Sequence, residues 1–131
     1  MKKASILVID DSVDTLELQR KSLELEGYRV FTSQCGSDAL TLLSALQKSQ
    51  ELNLILLDMN LGDMTGSEFL KILEKTNLEI FNNVPIVFFS GADEIPKSKA
   101  IGFIRKPIDL EKFIQDIRHF IEMGTHALFA H

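Results

Sequence analysis

The sequence predicts an α/β fold, a doubly wound parallel sheet covered by helices on both faces. Three observations lead there. Short, almost wholly apolar runs recur at residues 6–9, 30–31, 54–57, 86–89 and 101–104, as in strands buried on both faces. Between them, apolar residues recur at helical spacing. Strand and helix periods alternate from end to end, which implies βαβ units joined by right-handed crossovers.

Taken in order, the first run ends at the pair Asp10-Asp11. Ser12 then reads as an N-cap, Val13, Leu16 and Leu23 as one helical face, and Gly27 as its stop. After residues 30–31, Ala39, Leu42, Leu43 and Leu46 form a second helical stripe. The run 54–57 leads into Asp58, and Phe69, Leu70 and Leu73 mark a third helix. The run 86–89 ends at Ser90 and Gly91. The following GADEIPKSKAIGFIR is broken by Pro96 and shows little periodicity before Ile101, so a short fourth helix or none is expected there. Residues 101–104 lead into Arg105 and Lys106. The last helix carries Leu110, Phe113, Ile114, Ile117 and Ile121 on one face and is expected to end before Gly124.

Composition narrows the function. The 131 residues suit one domain, and 45% apolar with 25% charged residues is the balance of a soluble globule. A net charge of −5 argues against a surface that tracks nucleic-acid phosphates. The single Cys35 cannot form an internal disulfide and reads as a small, half-buried loop residue. No stretch reaches the roughly 18 apolar residues of a membrane span. The apolar run after the basic start is shorter than the roughly 7–15 residues of a signal peptide, so a cytoplasmic location is expected. No repeat or interdomain linker is visible.

The chemistry lies at the strand ends. Ligands of open α/β sheets bind beyond the carboxyl ends of the strands, where Asp10, Asp11, Asp58 and Lys106 fall. Clustered carboxylates repel one another, and a hard cation relieves the repulsion. Mg²⁺ takes one or two carboxylates together with waters and phosphate oxygens, and the backbone carbonyl of Asn60 could complete such a set. An aspartate can also carry a phosphoryl group as an acyl phosphate, with a cation and a lysine screening the charge on the transferring group. Singly, each residue has a plainer reading: Asp10 as a cap, Lys106 as a solvated charge, Ser90 and Gly91 as turn residues. Their joint arrangement favours the site.

The same residues resemble those of the receiver domains of two-component response regulators. LVIDD is similar to that family's acidic pair, LLDMNLGDMTGSEFL to its phosphoacceptor loop with Gly66 at the glycine position, VFFSG to its fourth strand and FIRKP to its Lys-Pro motif. GYRVFTSQCGSDAL resembles its second strand and following helix. The likeness covers roughly residues 4–123. It implies a flavodoxin-like five-stranded sheet of order 2-1-3-4-5, with Asp58 as phosphoacceptor. Asp10, Asp11, Asp58 and the Asn60 carbonyl would hold Mg²⁺, and Lys106 and Ser90 would stabilise the phosphoryl group. Ser90 and Phe103 would form the switch, and Lys106–Pro107 would be a cis bond. Such a domain is not an enzyme towards other molecules. Its donor would be a sensor histidine kinase or a histidine phosphotransfer protein, and its output a contact with a downstream protein, without nucleic acid or membrane.

The chain departs from that pattern in three places. Gly62 stands where the family usually has proline, which is expected to loosen the loop. The Ser90–Lys106 interval is shorter than the family's, which weakens the Ser90–Phe103 switch. GTHALFAH, residues 124–131, reads as a tail with no output domain, so a stand-alone receiver of residues 4–123 is expected, or a fragment of a larger regulator. Two other readings compete. One is a receiver-like interaction domain switched without phosphorylation. The other is a phosphatase of the haloacid dehalogenase type, which needs an acid/base aspartate where this chain has Asn60. Phe103 also has a plainer reading, as an aromatic on an edge strand.

Overall fold

In the computed structural model, residues 4–46, 52–90, 102–105 and 109–129 are described; of Ser90, Phe103, Arg105 and residues 124–129 only the backbone is described. The chain runs β1 (Ser5–Ile9), α1 (Val13–Leu25), β2 (Arg29–Ser33), α2 (Gly36–Ala45), β3 (Leu54–Leu57), α3 (Gly66–Thr76), α4 (Leu78–Asn83), β4 (Ile86–Ser90), β5 (Gly102–Arg105) and α5 (Leu110–Phe129). The five strands are all parallel, in the order β2-β1-β3-β4-β5. This is the doubly wound sheet that the periodicity predicts.

Strand alternation explains why the central strands are apolar throughout. Leu7, Ile9, Ile55, Leu57, Ile86 and Phe88 point to one face and pack with Ala39, Leu43, Phe69, Leu73 and Ile80 from α2, α3 and α4. Their neighbours Ile6, Val8, Leu54, Leu56, Val87 and Phe89 point to the other, against Leu16 and Leu23 of α1 and Phe113 and Ile117 of α5. Each apolar residue of these central strands thus has a layer to pack against. The Phe89 and Phe113 rings lie 5.4 Å apart between centroids, tilted at 41°, a favourable aromatic geometry.

The helix ends follow local rules. The Ser12 side chain accepts from Thr15 N at 3.3 Å to open α1. α1 closes at Gly27, with Tyr28 N donating to Leu23 O at 3.2 Å and Gly27 N to Glu24 O at 3.0 Å, a Schellman arrangement. α3 begins with a capping box between Thr65 and Glu68.

Three expectations change, and one falls outside the described residues. Val13 is 52% exposed, and the inward face of α1 is Leu16, Gln19 and Leu23. α4 was not expected; Asn77 caps it, and Ile80 anchors it in the core. β5 begins at Gly102, and the 91–101 segment expected to hold a short fourth helix or none lies outside the described residues. α5 does not stop before Gly124 but continues to Phe129. A glycine ends a helix when it takes the left-handed conformation just past it, and among the described residues only Gly27 and Gly62 have positive φ.

Candidate functional site

The site forms where the winding of the sheet reverses. β1 lies between β2 and β3, so the connections leaving β1 and β3 diverge and open a crevice at their carboxyl ends. Ile9 and Leu57 are register partners, which brings the next residues, Asp10 and Asp58, to one edge. The ladder carries on through both: Asp58 N donates to Ile9 O at 3.0 Å, and Asp10 N to Ser33 O at 3.1 Å. Their backbones are therefore as fixed as the sheet itself.

One carboxylate oxygen from each of Asp10, Asp11 and Asp58 lies within 4.8 Å of the others. Asp10 is 1% exposed, and its Oδ1 accepts from Ser12 N at 3.0 Å, at the amino end of α1, where the helix dipole favours negative charge. Asp11 is exposed and Asp58 half-buried. The three donors are all hard oxygens, which suits Mg²⁺ rather than a thiolate-seeking metal. Opposite corners of an octahedron with arms of roughly 2.1 Å stand about 4.2 Å apart. The observed spread is thus within a small side-chain adjustment, or one bridging water, of a Mg²⁺ shell.

The loop after Asp58 folds back on itself. Asn60 N approaches Asp58 Oδ1 at 3.4 Å, and Asn60 Oδ1 accepts from Gly62 N at 3.1 Å. Leu61 N donates to Met64 O at 2.9 Å and Gly66 N to Met59 O at 2.8 Å, a short antiparallel bridge that sets Asn60 opposite Thr65. Leu61 is buried in the core. Gly66 is required by space: a Cβ there would stand 2.8 Å from the Asp58 carbonyl oxygen and 2.9 Å from a Phe88 ring carbon. Gly62 turns the loop with φ +83°, open to glycine at little cost.

At the tip of this loop, the two Asp63 oxygens accept from the backbone N–H groups of Gly36 and Ser37, at 2.9 and 3.0 Å. These bonds, from Ser37 and Gly36, hold the Asp63 carboxyl below its ordinary range. Sequence reading missed this residue. An aspartate in a turn gives no sign of which distant N–H it reaches, and the one local hint is that Cys35, ahead of α2, is a poor cap.

Of the other sequence-predicted site residues, Ser90 ends β4 in register with Arg105, and Phe103 pairs with Phe88 across β4 and β5. Lys106, Pro107 and the isomer of the bond between them lie outside the described residues. Cys35 is half-buried, as expected. No described helix is long and apolar enough to cross a membrane.

The sequence profile of the response regulator receiver domain matches residues 6–118. The chain belongs to this family. It is 38% identical to the cell cycle transcriptional regulator CtrA of Caulobacter vibrioides, over 93% of this chain and 52% of CtrA. It is 28% identical to the CAI-1 autoinducer sensor kinase/phosphatase CqsS of Vibrio cholerae, over 88% of this chain and 17% of that protein. The receiver thus spans about half of CtrA and less of CqsS. Among solved structures, the Vibrio cholerae chemotaxis protein CheY4 superposes with a TM-score of 0.76 at 25% identity, covering 91% of this chain and 99% of that one. NtrX from Brucella abortus superposes with a TM-score of 0.82 at 25% identity, covering 98% of this chain and 29% of that one. Receiver domains of this family are signalling modules of two-component systems.

Proposed function

We propose that this receiver accepts a phosphoryl group on Asp58 in a Mg²⁺-dependent reaction. The observation that carries the reading is the gathering of Asp10, Asp11 and Asp58 oxygens within 4.8 Å at the switch point of the sheet. The donor is a phosphohistidine of a sensor histidine kinase or a histidine phosphotransfer protein. An Asp58 oxygen attacks phosphorus, the O–P bond forms as the N–P bond breaks, and the electron pair leaves with the imidazole, which takes up a proton. Asp10, Asp11, Asp58 and the Asn60 carbonyl hold Mg²⁺. When bound, the ion neutralises charge on the equatorial phosphoryl oxygens.

Lys106 supplies a second positive charge to the phosphoryl group and Ser90 a hydroxyl. Ser90 and Phe103 shift together between two arrangements whose balance phosphorylation biases. The receiver unit comprises residues 4–123. It works in the cytoplasm and reaches its output through a protein partner, either a downstream target or the next carrier of a phosphorelay. Its catalysis is confined to its own phosphorylation and dephosphorylation.

Intact-mass analysis after incubation with acetyl phosphate and Mg²⁺ tests the reading. The wild-type chain gains one phosphoryl mass and Asp58→Asn gains none; equal labelling of Asp58→Asn contradicts the assignment.

A further inference from the structure

We infer that Asp63 is a positioning residue for the metal-binding loop: it clamps the loop tip to the amino end of α2 and so holds Asp58 and the Asn60 carbonyl in place. The inference rests on the Mg²⁺ site proposed above but uses a residue outside it.

Three features converge on Asp63. Its two oxygens take the two first backbone N–H groups of α2, Gly36 and Ser37, one each. The helix has no cap of its own, because Cys35 makes no side-chain bond to those N–H groups. The four leading N–H groups of any helix need outside partners, so this end of α2 is left to a residue of another loop. The neighbouring Met64 then reinforces the contact. Its side chain packs so closely on Gly36 that any Cβ at that position would overlap it, and it also packs against the core. The loop tip is held at two adjacent residues.

From that anchor an unbroken set of contacts leads back to the acids. Leu61 N binds Met64 O and Gly66 N binds Met59 O, which sets Asn60 opposite Thr65; Gly62 N binds Asn60 Oδ1, and Asn60 N approaches Asp58 Oδ1. The permissive residue in this path is Gly62, at φ +83°, which alone would let the loop explore other turns. An external anchor one residue later removes that freedom. Conformational freedom lost before binding is freedom that binding need not remove, so the clamp raises cation affinity without touching the cation.

A merely structural role, capping α2, makes a different prediction, and a second substitution separates the two. Cys35 already has the extended backbone of an N-cap, φ −149° and ψ 167°, so Cys35→Ser can cap α2 from its own side. The experiment titrates Mg²⁺ alone into wild type, Asp63→Ala and Cys35→Ser/Asp63→Ala, read by amide chemical shifts of Asp58 and Asn60. Urea unfolding and acetyl phosphate labelling rates at subsaturating Mg²⁺ accompany it. Partners in direct contact with metal ligands typically contribute about 10–100-fold in affinity; one acting through the loop is expected to contribute about threefold to tenfold.

Asp63→Ala is expected to bind Mg²⁺ that much more weakly and to label correspondingly more slowly. The double variant is expected to regain stability while its Mg²⁺ affinity stays low. Wild-type affinity in Asp63→Ala, or affinity restored together with stability in the double variant, overturns the inference. If wild type takes up no phosphoryl group, the phosphorylation reading fails, and the Mg²⁺ titration still decides the role of Asp63.

Discussion

At the scale of single residues, two side chains stand out because their surroundings conflict with their chemistry or exploit it. Gln19 is 4% exposed on the inner face of α1, and neither its Nε2 nor its Oε1 has a hydrogen-bond partner among the described residues. An unsatisfied buried polar group costs about 1–3 kcal/mol, so Gln19→Met, similar in shape, is expected to raise stability by about 1 kcal/mol. A higher urea midpoint at unchanged slope is the predicted result; a lower one means the amide is satisfied by buried water. Asp63 exploits its surroundings. Its folded-state pKa lies below the ordinary 3.8 because Ser37 and Gly36 N–H bind the charged form. A depressed carboxyl stabilises the fold above the ordinary value and loses that contribution as pH falls through the folded one. The Gly36 and Ser37 amide shifts are therefore expected to titrate with a midpoint below 3.8. A midpoint at or above it contradicts the clamp.

At the scale of elements, apolar pattern alone located most of the fold. The runs 54–57 and 86–89 became β3 and β4 almost unchanged because both faces of these strands are covered, which leaves a continuous signal. Ser12 and Gly27 bounded α1 as read, since capping is local chemistry. β2 was legible only at Val30 and Phe31, because at the sheet edge Arg29 and Thr32 face solvent. α4 was missed because a single buried residue, Ile80, makes no period. The end of α5 was misread because glycine weakens a helix by roughly 1 kcal/mol without having to end it. That yields a test: Gly124→Ala is expected to stabilise the protein by about 0.5–1 kcal/mol and to increase far-ultraviolet helical signal. No change in either contradicts a helix through Gly124.

At the scale of the whole molecule, the site is a product of topology. Asp10 and Asp58 are distant in sequence yet adjacent because β1 and β3 pair in register where the winding reverses. This much was legible, since each acid directly follows an apolar run and parallel strands place their carboxyl ends together. The bracing of the site was not. Asp63 reaches α2 through a turn whose path no periodicity records, and the space that demands Gly66 comes from the Phe88 ring and the Asp58 carbonyl. The Gly62 substitution, read in sequence as loosening the loop, sits in a turn anchored at both the Asp63 tip and the buried Leu61.

In the proposed mechanism the three strand-end acids bind a hard cation, and Asp58 then takes a phosphoryl group. NMR with Mg²⁺ and beryllofluoride, an anionic tetrahedral mimic of a phosphoryl group that needs no phosphodonor, is the decisive measurement. Mg²⁺ alone is expected to shift the amides of Asp10, Asp11 and Asp58, and beryllofluoride to add a further saturable change at Asp58 and Asn60 only when Mg²⁺ is present. Unmoved amides at these residues with both reagents added would contradict it and favour a receiver that signals without phosphorylation.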